Sequence, residues 1–303
     1  MVVIMHTHLF ILLHFLQNAP SLLASPAPSA WRRSIRPPLP PMTQKAGAAF
    51  APKTALILGG TGQVGGKLLR ELIDSNTFTR IGEFGRRTTP LDTLPASAQD
   101  KLVQKVIDFE HLEDAGLKDE QWDVVFIAMG TSRKNAGSFE AFVRIDREYV
   151  INAAKAARSD KHPQRLVYVS TFNADVNAWL PYFKSKGITE DGLASIGYDD
   201  TIVFRPGFLA GTNRPKFRLG EAIALAIARV LTMIGIPGYR IEITTLATSL
   251  VRAGKLGSAG LPAEVKATQV GRDDARYALV KSVGAEELAK DSHSPCTGGS
   301  EEL

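Results

Sequence analysis

The chain has 303 residues, 44% of them hydrophobic, with a formal net charge of +5 and a single cysteine. That apolar share is ample for a large core, and a lone Cys296 excludes an intrachain disulfide, which suits a reducing compartment. Residues 1–53 hold Arg32, Arg33, Arg36, Lys45 and Lys53 and no acid, so the whole excess of 36 basic over 31 acidic residues sits in that stretch; the rest carries no net field to draw a phosphate polymer, which argues against nucleic-acid binding.

Residues 1–50 do not read as part of a packed domain. Val2 to Leu16 is largely apolar but interrupted by His6, His8 and His14, and it falls short of the roughly 20 residues that span a bilayer. The following ASPAPSAWRRSIRPPLPP is expected to be disordered, because proline, serine and arginine cannot bury a core. Apolar residues, then arginines, with no acid before Glu71, resemble a targeting segment of the mitochondrial kind; a secretory signal would place its charge ahead of the apolar run. Synthesis starting at Met42 would remove the stretch altogether, and both readings stand.

The body opens with TALILGGTGQVGGKLLR at 54–70. Thr54 to Leu58 is expected as a strand with an apolar run from Ala55, glycines follow at Gly59, Gly62, Gly65 and Gly66, and a helix is expected from about Gln63 to Ser75. A strand, a tight turn and a helix N-terminus make a cradle for a dinucleotide pyrophosphate. Gly59 supplies a positive φ, Gly62 admits phosphate oxygens to backbone N–H groups, and Gly65 lets the helix close on its strand. Glycine turns also occur without a ligand, but here both flanks fit.

Arg80 to Gly85 is a second strand and Leu102 to Phe109 a third; DVVFIAM, Asp123 to Met129, is a continuous apolar run of the kind buried on both faces. Phe139 to Arg158 is expected as one long helix with Phe142, Ile145, Tyr149 and Ala153 on its apolar stripe. Arg165 to Val169 and Thr201 to Phe204 complete six strands. Their alternation with helices predicts an α/β fold with a doubly wound parallel sheet and the glycine turn at its carboxyl edge. Leu219 to Ile234 is a mostly apolar helix that suits a core, an active-site cover, a dimer face or a membrane surface. From Gly257 onward glycine, proline and charge dominate, and the last dozen residues read as disordered.

Strand two ends in Gly85, Arg86 and Arg87, two guanidiniums where an NAD site usually offers a carboxylate to the ribose. Arginine pairs bidentately with phosphate, which favours a 2′-phosphate and hence NADPH; a solvated loop has the same composition. Asp108 could accept a hydrogen bond from the adenine amino group or cap a turn. PYFKSK at 181–186 starts a helix with Pro181 and sets Tyr182 and Lys186 one turn apart on one face, eleven or twelve residues after Ser170 and Thr171. An ammonium beside a phenol favours phenolate, which prepares Tyr182 for proton transfer, and either hydroxyl could polarise a carbonyl. A core tyrosine with a snorkelling lysine is the plainer reading. Arg144, Asp146 and Arg147 on the long helix read as a solvated face, with Arg147 or Arg133 available to an acidic substrate.

Taken in order, FGRRT (84–88), VIDFEHLED (106–114), AMGTSRKNAG (128–137), FVRIDREYV (142–150) and FRPGFLAG (204–211) make the chain resemble the atypical short-chain dehydrogenase/reductases, and more narrowly the Tat-interacting, oxidoreductase-like family with its fungal mitochondrial members. The resemblance covers about residues 54–255. It implies a Rossmann domain over 51–255, followed by a small substrate or lid segment and tail over 256–303. It implies that Gly59, Thr61, Gly62, Gln63, Val64 and Gly65 wrap the pyrophosphate and that Arg86, with Arg87, holds the 2′-phosphate. Ala128, Met129 and Gly130 would line the adenosine ribose side, and Pro206, Gly207 and Phe208 would lie near the nicotinamide. Tyr182 would be the proton donor and Lys186 the nicotinamide-ribose ligand. The fungal relatives imply a peripheral place on the mitochondrial outer membrane, with the cytoplasm as the alternative. Two functions fit: an NADPH-dependent reductase of a small carbonyl substrate, or a non-enzymatic regulator that binds NADP(H) and gates a protein partner. No metal ligands and no oligomeric state are legible.

Overall fold

In the computed structural model, residues 51–211 and 240–290 are described, and all of them lie in the unit Gln44–Leu303. The extension over 1–50, the apolar Leu219 to Ile234 stretch and the tail with Cys296 fall outside the described residues. Among the described residues, ten strands are β1 (Thr54–Leu58), β2 (Arg80–Gly85), β3 (Leu102–Val106), β4 (Val124–Ile127), β5 (Arg165–Val169), β6 (Asp200–Arg205), β7 (Phe208–Ala210), β8 (Arg240–Glu242), β9 (Thr268–Arg272) and β10 (Ala275–Lys281). The helices are α1 (Gln63–Asp74), α2 (Ala98–Lys101), α3 (Arg133–Ala136), α4 (Phe139–Val143), α5 (Tyr149–Ala157), α6 (Pro181–Ala194), α7 (Ile243–Leu256) and α8 (Ser282–Lys290).

The main sheet runs β3-β2-β1-β4-β5-β6-β10-β9, parallel throughout except for β9, which pairs antiparallel with β10. The order reverses between β1 and β4, and a crevice opens at the carboxyl ends of those two strands. Strand alternation sorts side chains onto two cores. Ala55 and Ile57 of β1 and Phe126 of β4 face α1 and α7, packed on Leu68, Leu72, Leu246 and Leu250. Leu56 and Leu58 face the other way, onto Val150, Ala153 and Leu193 of α5 and α6. The predicted doubly wound Rossmann sheet is therefore present, with helices on both faces.

Three local expectations change. Strand three stops at Val106, because the chain turns at Asp108, whose Oδ1 accepts the Glu110 N–H at 3.0 Å. Beyond residue 255 the chain adds β9 and β10 to the same sheet and then forms α8, so the folded body continues to Lys290. The long helix is continuous from Phe139 to Ala157, but Arg144–Glu148 forms a π-turn between α4 and α5. A π-turn inserts one residue and advances the phase of the helix beyond it. The buried stripe accordingly runs Phe142, Asp146, Val150, Ala153 and Ala157, and Asp146 is fully buried instead of lying on a solvated face.

Candidate active site

Gly59 ends β1 with φ +99°, and its carbonyl accepts the Gly62 N–H at 2.9 Å, which closes the turn. A Cβ on Gly65 would lie 1.9 Å from the Gly59 oxygen, so only glycine lets α1 seat this close. Gly62 caps α1 without any side-chain acceptor, and the positive end of the helix dipole faces the crevice. Thr61, Gly62 and Gln63 are exposed, Val64 is buried beneath them, and beside them a cavity of about 270 Å³ is lined also by Lys67 and Thr89.

Arg86 and Arg87 are exposed at the tip of β2, and neither has a partner among the described residues. Glu83, two residues inside β2, carries no signal of a site in the sequence. It is buried under the glycine turn, close enough that a Cβ on Gly60 would meet its Oε1 at 2.4 Å. Its carboxylate accepts the Thr89 N–H, the Thr89 hydroxyl at 2.6 Å and the Gln104 amide at 2.7 Å. This acid is spent on folding the 86–89 loop back and is not offered to a ribose. Asp108 is likewise occupied by its own turn.

The glycine turn touches the end of β4: a Cβ on Gly59 would fall 2.7 Å from the Met129 nitrogen and 2.8 Å from the Ala128 carbonyl carbon. One residue on, a Cβ at Gly130 would be 2.9 Å from Asp146 Oδ1 and 3.7 Å from Lys186 Nζ. Ala128, Met129 and Gly130 thus join the predicted phosphate cradle to the predicted reaction centre.

Pro181 starts α6 and places Tyr182 and Lys186 on its first two turns. Tyr182 is 39% exposed with its ring 5.4 Å from that of Phe142, whereas Lys186 is buried. The Lys186 ammonium lies 2.7 Å from Asp146 Oδ2 and donates to Tyr168 Oη at 3.2 Å; Asp146 Oδ1 accepts the Thr131 N–H at 2.9 Å. Burial pulls the Lys186 pKa down, but Tyr168, Asp146 and Tyr182 outweigh it and hold the value well above that of an ordinary lysine. Burial, with Asp146 nearby, raises the Tyr168 pKa against the pull of Lys186, so this phenol stays neutral. Sequence reasoning misses both Asp146 and Tyr168 as site residues. The usable signal is spacing, since Asp146 is four residues from Phe142 on the same helix.

Ser170 closes β5. Its N–H donates to the Phe204 carbonyl at 2.8 Å, and its buried hydroxyl has no hydrogen-bond partner among the described residues. Thr171 is half-buried beside it. The Phe172 N–H donates to the Pro206 carbonyl at 2.9 Å and the Gly207 N–H to Ser282 Oγ at 2.8 Å, so Pro206, Gly207 and Phe208 run along the β5 end.

A switch-point crevice, an uncapped helix N-terminus and a glycine turn without room for side chains define a dinucleotide-binding protein. A family model described as NAD(P)H-binding matches residues 59–225, and the chain belongs to that family. It is 32% identical over 201 residues to Protein HTATIP2 of Rattus norvegicus, covering 66% of this chain and 80% of that one. It is 29% identical over 208 residues to "Protein FMP52, mitochondrial" of Eremothecium gossypii, covering 65% and 87%. Among solved structures, a nucleoside-diphosphate-sugar epimerase from Agrobacterium tumefaciens superposes with a TM-score of 0.54 at 17% identity, over 85% of this chain and 83% of that one. The Bordetella bronchiseptica enzyme WbmF in complex with NAD+ does so at 0.50 and 16%, over 69% and 72%; both likenesses concern the fold.

Proposed function

We propose that this protein is an NADPH-dependent oxidoreductase that reduces a carbonyl compound, with Tyr182 as the proton donor. The observation that carries this reading is the buried Lys186, held by Asp146 and Tyr168 one helical turn below an exposed Tyr182 and beside Gly130 at the crevice.

The residues present fit a nicotinamide dinucleotide. The glycine turn and the N-terminal end of α1, with its helix dipole, would hold its pyrophosphate at Thr61, Gly62 and Gln63, and the unpaired Arg86, with Arg87, would take a 2′-phosphate. The engagement of Glu83 elsewhere supports NADPH over NADH. When bound, the dihydronicotinamide supplies the hydride. The Tyr182 hydroxyl gives its proton to the carbonyl oxygen, and the Lys186 ammonium stabilises the charge left on the phenol oxygen. An ammonium has three N–H groups; Asp146 and Tyr168 engage two, which leaves one for the reacting side. The unpartnered Ser170 hydroxyl, or Thr171 next to it, orients the carbonyl.

The test is a carbonyl screen that follows NADPH absorbance, run beside Tyr182→Phe. NADPH consumption that this variant abolishes supports the reading; turnover untouched by the variant removes Tyr182 as the proton donor, and cofactor binding with no carbonyl reduced would replace the reading with an NADP(H)-sensing regulator. A mitochondrial location is supported by the names of the fungal relatives, and peripheral attachment at the outer membrane is the form proposed for it. It also agrees with the finding that no helix among the described residues is long and apolar enough to cross a membrane. Release from purified mitochondria by alkaline carbonate would check it.

A further inference from the structure

Apart from Tyr182, the aromatic residues at the carboxyl edge are not used by the chemistry above. Phe139 contacts Phe142 at 5.9 Å between ring centroids, Phe142 contacts Tyr182 at 5.4 Å, and Tyr182 contacts Phe183 at 5.4 Å. The series continues from Phe183 to Phe172 at 5.5 Å and from Phe172 to Phe208 at 5.3 Å. Four separate segments converge here: α4, the end of β5, α6 and β7. The ordinary fate of such rings is full burial, yet of the six only Phe142 is buried. Trp179, three residues ahead of Tyr182, is 87% exposed, and Val176 is 42% exposed.

The polar groups of the proposed chemistry come from two of these segments, the end of β5 and α6. Ser170, Thr171 and Tyr182 offer hydroxyls, while Lys186 is buried and paired with Asp146. Each hydroxyl also has a ring as its near neighbour in the chain, since Phe172 follows Thr171 and Phe183 follows Tyr182. A site that fixes one carbonyl at its end and presents ring faces and edges along its length suits a flat apolar compound. A small charged oxo-acid would find no free cation among these residues. We propose that the compound reduced is an aromatic or similarly conjugated carbonyl, held along this wall with its oxygen at Tyr182. This rests on the oxidoreductase reading and names the substrate class for that same site.

The experiment titrates NADP+-loaded protein calorimetrically with naphthaldehyde, its fully saturated analogue and pyruvate, and then follows NADPH consumption with the same three compounds. Offset and edge-to-face ring pairs add to area burial, so two such contacts should make naphthaldehyde about tenfold tighter, or more, than the saturated compound. Phe172→Leu and Phe183→Leu should bring that ratio close to one. Equal or tighter binding of the saturated compound or of pyruvate overturns the proposal, and the wild-type ratio decides the matter if either variant fails to fold. An aromatic preference in binding with no NADPH consumed would keep the aromatic cleft and sink the reductase. NADPH consumed without aromatic preference would do the reverse.

Discussion

Asp146 and Lys186, forty positions apart in the chain, form a buried ion pair with 2.7 Å between Oδ2 and Nζ. The pair ties the π-turn of one helix to the second turn of another, and Gly130 of the β4 end lies against both groups. The Thr131 N–H and the Tyr168 hydroxyl complete the polar shell. A buried charge is tolerable when it is paired and hydrogen-bonded, and here each member supplies that condition for the other.

Removal of one member should therefore be costly. Asp146→Ala leaves an ammonium buried without its counter-ion, and a loss of about 3–5 kcal/mol in unfolding free energy is expected from urea denaturation. Asp146→Asn keeps an acceptor for the Thr131 N–H and should lose less.

The same pair sets an alkaline limit. The folded-state pKa of Lys186 lies above its unfolded value, so its stabilising contribution is fully present below the ordinary lysine pKa and disappears as pH rises through the folded value. Thermal unfolding on the alkaline side should show wild-type stability falling with pH and a flatter profile for Asp146→Asn. Equal slopes for the two proteins would contradict the pairing.

Gly65→Ala tests the turn. Its Cβ would meet the Gly59 carbonyl oxygen at 1.9 Å, so α1 must move off β1. A loss of about 1–3 kcal/mol in stability is expected from such overpacking. NADPH fluorescence should report weakened binding even at temperatures where the variant is folded.

Arg86→Ala addresses coenzyme choice. Hydrogen bonds to a charged group contribute about 1.5–3 kcal/mol, so NADPH affinity should fall about ten- to a hundredfold while NADH affinity holds. Because Arg86 is exposed and has no partner among the described residues, the melting temperature of the free protein should not change.

Tyr277→Phe probes the clasp beneath the site. Glu190, one turn beyond Lys186, is buried and accepts from Tyr277 Oη at 2.8 Å and from Arg205 Nε at 3.0 Å, which fastens α6 to β10 and β6. Loss of one hydrogen bond to this carboxylate should cost about 1.5–3 kcal/mol by chemical denaturation, with NADPH binding retained.

Much of this protein is legible from its residues because local rules govern the elements concerned. β1, β4 and β5 are short apolar runs bounded by glycine or polar residues, and Pro181 marks the start of α6 where it is found. Gly59 and Gly65 announce a turn with no room for side chains, and Arg86 and Arg87 stand at a strand tip. β9 and β10 are not legible, since their glycine and charge resemble a loop until the β6 edge offers a partner.

What the sequence determined by itself was backbone conformation and the order of strands, turn and helices, because those depend on neighbours a few residues apart. Tertiary structure alone decided the fate of the charges and rings. Asp146 reads as a solvent-facing acid until Lys186 of a distant helix meets it, and Glu83 reads as a strand residue until Thr89 and Gln104 close over it. The aromatic series exists only where four distant segments meet. The physical reason is that desolvation and pairing depend on what surrounds a side chain in space, and those surroundings come from segments separated by tens of residues in the chain.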